Sequence, residues 1–449
     1  MRFNKEANVL IINRRTALLT GAAAMATAMM PDYAMSAIPT AAATPPKLPI
    51  ESGATLRILR PGKMVDADET IFRENVAKFA AEMKVPTRVD FVGWEDLRPQ
   101  VGVAANTGAG PDVVLAWPDD PHLYADKLIE VSDIAEYLGK KYGGWMTLAE
   151  IYGKKRGSNN WIAIPMGGTG GPAVYRKSWV KQAGFDKFPT DHAGFLKLAQ
   201  ELKKIGHPCG FALGNAVGDA NAYAHFLLWS HGGSITDEAG KVSINSKETM
   251  EALKFAKELY PNMIPGVLAW QDPSNNKAYI AGEIGLTQNG VSIYYALKSD
   301  PKTAEMADDT DHAPMPLDPH GKRPETALIV NAMIFKHTKY PNAAKEFLRF
   351  MMEQEQYDKW LTGCLGYWAQ PLRAYSESAV WKSDPKLLAY RDACDSPFYN
   401  GYKGPISQAS GAATADYVLP QMFAAVSSGE SSPEDAMREA ERRAKRFYR

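Results

Sequence analysis

Cysteine is nearly absent: Cys209, Cys364 and Cys394 are the only three in 449 residues. Three thiols cannot build a disulfide framework, so the chain must rely on a packed core. Cys209 lies in an apolar stretch and reads as a small buried hydrophobe. Cys364 and Cys394 either pair in an oxidising compartment or stand as isolated buried thiols, and sequence spacing does not choose between these. Net charge is missing as well. Lysine plus arginine and aspartate plus glutamate each number 51, which leaves no electrostatic footprint for nucleic acid or an anionic membrane. There is no Gly-x-Ser-x-Gly elbow, no His-Glu-x-x-His zinc helix and no P-loop. The apolar run at the N-terminus, Ala17 to Met30, falls short of the ~20 residues that span a bilayer.

That run opens with Asn13-Arg14-Arg15-Thr16. The arginine pair resembles a twin-arginine export signal, although the usual aromatic residue after it is missing, and a Sec-type signal is the alternative. Either route delivers the chain to the periplasm. Cleavage is expected between Ala34 and Ala43, with no cysteine nearby to carry a lipid anchor. Residues 1–45 are thus read as signal and flexible lead-in, the processed Pro- and Ala-rich stretch running over residues 36–54. Arg2, Lys5, Arg14 and Arg15 leave with the leader, as do Glu6 and Asp32, so 47 basic and 49 acidic residues remain. Such balance suits a neutral ligand better than a highly charged one.

Beyond the lead-in the pattern is α/β. Thr55–Leu59 alternates as a strand ended by Pro61-Gly62. Phe72, Val76, Phe79 and Met83 recur at helical spacing, and Thr87–Val92 alternates again. A helix starts near Trp94, and Asp112–Ala116 is a continuous apolar strand of the buried, parallel kind. Later strands are expected at Ala173–Tyr175, Cys209–Leu213, Glu283–Thr287 and Ala327–Phe335. Helices are expected at 195–205, 219–231, 247–260 and around 344–351. The last helix has Ser432 as N-cap, Pro433 at its first position and a basic end. Gly167-Gly168-Thr169-Gly170-Gly171 lacks dinucleotide spacing and reads as a flexible crossover. Asp308-Asp309-Thr310-Asp311-His312 lacks the calcium-loop glycine and reads as a solvated loop. The histidines are scattered, with no metal spacing.

Five blocks in order carry a family resemblance. They are Gly110-Pro111-Asp112-Val113, Ile164-Pro165-Met166-Gly167 leading to Val174-Tyr175-Arg176-Lys177, Tyr279–Leu286 reaching Asn289-Gly290, Tyr340–Leu348, and Gly366–Arg373. Together they make the mature chain resemble the family 1 extracellular solute-binding proteins, relatives of the maltose-binding protein. Arg176 and Asp191-His192 depart from the family pattern at positions that pack and cap a helix. The resemblance implies a two-lobed periplasmic-binding-protein fold, the type II Venus flytrap with several hinge crossovers. One lobe would take residues 55–164 and 315–358, the other 165–314 and 359–449. It also implies a monomer that passes a small hydrophilic solute, most plausibly a sugar or sugar derivative, to an ABC permease, with no cofactor, metal or catalytic residue.

Ligands of open α/β sheets sit beyond the carboxyl ends of strands. That rule nominates Arg60 after the first strand, Trp94 and Glu95 after the second, and Trp117 and Asp119 after the third. In the other lobe it nominates Asn215 and Asn289, with Trp270 in a Pro-bounded loop and Trp368 and Arg373 in the fifth block. A sugar needs an aromatic plate for its C–H face and planar polar groups for its hydroxyls. Trp117 beside Asp119 meets both needs and leads the list. Trp145, Trp161, Trp179, Trp360 and Trp381 read as packing residues. Glu95 has an alternative role as a helix N-terminal charge, and Arg373 as a surface ion-pair partner. A secreted carbohydrate-active enzyme or an adhesin is the rival reading.

Overall fold

The computed structural model describes residues 37–449; the paired arginines and the apolar run lie outside the described residues. Leu56, Ile58 and Leu59 turn their apolar side chains inward from β1 (Leu56–Pro61), which pairs in parallel with β2 (Thr87–Val92) and β3 (Val113–Ala116). These three join β8 (Ala327–Ile334) and β4 (Ile164–Gly170) in a five-stranded sheet of order β2-β1-β3-β8-β4. β8 runs antiparallel to both of its neighbours. A second sheet, of order β6-β5-β7, is antiparallel throughout: β5 (Ala173–Arg176) lies between β6 (Leu286–Gln288) and β7 (Thr310–Ala313).

The chain thus leaves the first sheet after β4 and returns to it at β8, so each sheet is assembled from separated stretches. Each has its own apolar core. Phe72, Phe79, Phe347 and Trp360 centre the first, and Phe195, Phe211, Leu227 and Phe423 the second. The C-terminal helices serve both. Trp360, Trp368 and Trp381 belong to the first core, whereas Val418, Phe423, Met437 and Ala444 belong to the second. The closing helix Pro433–Phe447 begins as its sequence dictates, with the Ser432 hydroxyl accepting from the Asp435 amide.

Four local expectations are corrected. The lead-in is tied down along its described part: Ile38 is buried, and the Ala41 amide donates to the Lys141 carbonyl (2.9 Å). The Glu51 carboxylate accepts from the amides of Asn342 (2.8 Å) and Ala343 (3.1 Å). A carboxylate at the start of helix Pro341–Met351 satisfies donors that no intrahelical carbonyl reaches. The glycine run is strand rather than loose linker, since Gly167 to Gly170 pair with β8. Its glycines answer to close approach: a Cβ on Gly171 would meet the Asn289 carbonyl oxygen at 2.1 Å. Thr310 to Ala313 form β7, and Asp309 just before it accepts from Arg176 Nε (2.8 Å) and the Ser178 hydroxyl (2.6 Å), so this acidic stretch is structural. Cys209–Leu213 is not a regular strand; only Cys209 bridges, to Met263 and Leu286. The Gly210 amide still donates to the Leu286 carbonyl (2.9 Å), and the Trp270 ring lies against Gly210.

Cys209, Cys364 and Cys394 are all free and buried, so the possible bridge between the last two is not formed. No described helix is long and apolar enough to cross a membrane.

Candidate functional site

Two adjoining chambers lie where strand ends and helix starts from the two sheets converge. The outer one is lined by Trp94, Thr169 to Gly171, Gly218, Asp219, Asp272, Asn276, Gln288 to Gly290 and Tyr367, among others. The inner one is lined by Arg98, Trp117, Asp119, Asn221 and Asn400. Gly218, Ala222, Thr326 and Leu328 line both, so the two form one cleft. Their free spaces are about 520 and 370 Å³, open mouths included.

From the first sheet, β2 is followed by Gly93 alone before helix Trp94–Thr107 starts, which puts Trp94 at the cleft. Its indole Nε1 donates to the Gly62 carbonyl (2.9 Å), fixing the ring. Trp117 packs at 4.8 Å and Trp368 stacks at 6.4 Å, centroid to centroid, so Trp94 is backed by two buried indoles. After β3, Asp120 accepts from the Trp117 amide and from Arg98 Nε (2.7 Å), locking the turn that carries Asp119. Asn400 Nδ2 donates to Asp119 Oδ2 (2.7 Å), leaving Oδ1 buried without a partner. Burial pushes the Asp119 carboxyl up to about 6, against the pull of Arg98 and Asn400.

From the second side, helix Asp219–Ser230 presents its N-terminus. Asp272 accepts from the amides of Gly218 (3.0 Å) and Asp219 (2.7 Å), acting as a cap supplied from a distant loop. Asp219 lies beside it with Oδ2 buried and unpartnered. Burial, then the Asp272 charge, holds the Asp219 carboxyl well above the usual range. Burial raises Asp272 too, and Glu95 adds to this across the cleft. Asn289 donates to Asn276 Oδ1 and steadies the loop after β6, while Gln288 Nε2 donates to the Gly171 carbonyl (3.1 Å). Gln288 Oε1 is left buried without a partner.

Of the residues nominated from sequence, Trp94, Trp117, Asp119 and Asn289 line the cleft. Glu95 stands beside it with Oε1 buried and unpartnered, and Trp368 is buried behind Trp94. Four others are placed elsewhere. Arg60 is fully buried, bonded to Asp68 at 2.5 Å and laid over the Phe72 ring, so it is a core residue. Arg373 is half exposed and pairs with Asp395 (3.2 Å). Asn215 and Trp270 line a separate groove with Gln271 and Gln421, where the Leu213 amide donates to the Val267 carbonyl (3.0 Å) and holds the two loops together. Asp219, Asn221, Asn276 and Gln288 were not nominated. Asp219 opens a helix after glycine, where an acidic residue is ordinary, so nothing in the sequence marks it out.

A cleft between two α/β lobes, walled by an indole and ringed by buried polar atoms, defines a solute-binding protein. The model of the bacterial extracellular solute-binding protein family matches residues 74–389, and the chain belongs to that family. YcjN of Escherichia coli (strain K12), assigned by name to an ABC transporter as its periplasmic-binding protein, is 23% identical over 300 residues. That match covers 64% of this chain and 65% of YcjN, so the chain spans about two thirds of this relative's length. Among solved structures, a sugar transporter of Arthrobacter chlorophenolicus A6 with bound laminaribiose is similar at a TM-score of 0.74. It is 19% identical, and the match covers 88% of this chain and 99% of that one. Maltose-bound MalE3 of T. maritima gives 0.72, also at 19% identity and with the same coverage. A solute-binding protein of Agrobacterium vitis S4 with bound D-mannitol gives 0.71 at 18% identity, covering 88% and 98%. The fold is therefore the two-lobed α/β architecture of these binding proteins.

Proposed function

We propose that the protein is the periplasmic component of an ABC importer, a monomer that captures a sugar, polyol or sugar derivative between its lobes and hands it unaltered to a permease. Export by the paired-arginine signal and removal of the leader belong to the same reading. In this reading the lobes divide as 55–164 with 315–358 and 165–314 with 359–449, with Trp360, Trp368 and Trp381 reaching back into the first core and Asp384 accepting from the Tyr294 hydroxyl.

The observation that carries this is the set of buried polar atoms without partners around one indole-walled cleft: Asp119 Oδ1, Asn221 Oδ1, Gln288 Oε1, Asp219 Oδ2 and Trp117 Nε1. A buried polar group lacking a partner costs ~1–3 kcal/mol. A hydroxyl-rich guest that satisfies several at once recovers that cost, while its C–H face lies on Trp94. A family of binding proteins and neighbours solved with disaccharides and polyols support the same chemistry.

The test is a melting series with laminaribiose, maltose, D-mannitol, ribitol and D-tagatose, followed by recovery of each compound. At a hundredfold its Kd, a true ligand adds ~2.7 kcal/mol of stability and is recovered unchanged. Conversion of any of them to product would establish the enzyme reading instead.

A further inference from the structure

The hydrogen-bonding inventory of the cleft is lopsided. Its lining atoms without partners include four acceptor oxygens, on Asp119, Asn221, Gln288 and Asp219, and Glu95 Oε1 adds a fifth beside them. Trp117 Nε1 is the unpartnered donor in the same lining. Charge is lopsided in the same direction. Asp119, Asp219 and Asp272 line the cleft, whereas Arg98 is the one cation among the described lining residues, and its Nε is spent on Asp120.

Asp119 is 0% exposed and Asp272 4%, while Asp219 and Glu95 are partly buried, each with one carboxylate oxygen shut off from solvent. Asp272 is engaged by backbone amides as a cap, so it holds its place whatever binds. Asp119 Oδ1 and Asp219 Oδ2 have no such duty. An aromatic ring stands close: a Cβ built on Gly218 would lie 2.9 Å from Asp272 Oδ1 and 3.4 Å from Trp94 Cζ3. An indole face set against carboxylates attracts a cation through both the ring quadrupole and the full charges. An ammonium carries three donors and no acceptor, the complement of this inventory. No group of three or more His, Cys, Asp or Glu side chains among the described residues is placed to hold a metal ion.

Resting on the solute-binding reading above, we propose that the guest is an amine-bearing sugar or polyol, bound as its ammonium between Trp94 and the carboxylates of Asp219, Asp272 and Glu95. This revises the expectation of a neutral ligand drawn from overall charge, because the local balance of the cleft departs from that of the whole chain. Burial raises the Asp219 and Asp272 carboxyls, and an ammonium beside them favours their ionised forms. Binding of the amine therefore strengthens as pH rises through the range where Asp219 and Asp272 lose their protons. The other titratable groups near this pair are Glu95, Tyr367 and Tyr417, with Arg98 and Asp119 in the adjoining chamber. The two tyrosines stay neutral over that range, since burial raises both.

The test is calorimetric titration of matched pairs at pH 5 and pH 6.5, where the amines keep their protons: D-glucosamine with D-glucose, D-galactosamine with D-galactose, 1-amino-1-deoxy-D-sorbitol with D-sorbitol, and the glucosamine disaccharide of chitosan with cellobiose. At pH 6.5 at least one amine should bind tenfold or more tightly than its neutral partner, with the margin shrinking at pH 5. Asp219→Asn should bring that pair close to parity while its unfolding curve stays that of the parent. If that variant fails to fold, Glu95→Gln is read in its place. Neutral partners binding as tightly as the amines overturn the amine assignment and leave the transport reading standing. So does silence from all eight compounds while a neutral compound of the earlier panel binds. Silence from both sets overturns the two together.

Discussion

Replacing Asp68 with alanine should lower the unfolding free energy by about 3–5 kcal/mol, the range for removing one partner of a buried ion pair. Arg60 and Asp68 have side chains only 1% exposed and meet at 2.5 Å. Asp68 Oδ1 also accepts from Trp360 Nε1 (2.9 Å), so the carboxylate holds a guanidinium and an indole at once. Its loss strands a full charge between the rings of Phe72 and Phe91. The double replacement Arg60→Met with Asp68→Leu removes charge and partner together and should recover most of the loss. Chemical denaturation at a fixed slope checks both. Asp68→Ala within 1 kcal/mol of the parent would mean that water reaches the pair.

Ala222→Phe should weaken ligand binding by at least a hundredfold and leave the fold intact. Ala222 lies on helix Asp219–Ser230 and lines both chambers, so a ring there projects into the space the guest needs. The intrinsic helix cost of phenylalanine over alanine is only ~0.5 kcal/mol. The melting temperature of the free protein should therefore move by ~2–4 °C or less. Titration of the variant with whichever compound binds the parent reads the effect. Undiminished binding would place the guest outside this cleft.

Much of the fold was legible because its signals are local. Alternation at 55–59, helical spacing from Phe72 to Met83 and the cap at Ser432 each fix one element without reference to the rest. Cys209–Leu213 misled because an apolar run looks like a strand, whether or not a neighbour pairs regularly along it. The site was legible in part. Trp94, Trp117 and Asp119 follow strands, and the rule about strand ends found them. Arg60 was expected after the strand but lies inside β1, which runs on to Pro61, and its partner eight residues along holds it in the core. Asp219 and Asp272 meet only because a loop more than fifty residues away caps a helix, a pairing that no spacing in the sequence announces.

Hydrogen exchange with and without a bound guest tests the location of the site most directly. Amides around Gly93 to Glu95, Gly170-Gly171, Gly218 to Ala222 and Asn289 to Ser292 should slow together, since they border one cleft from both lobes. Protection confined to Leu213 to Asn215 and Leu268 to Gln271 would move the guest to the separate groove and contradict the account.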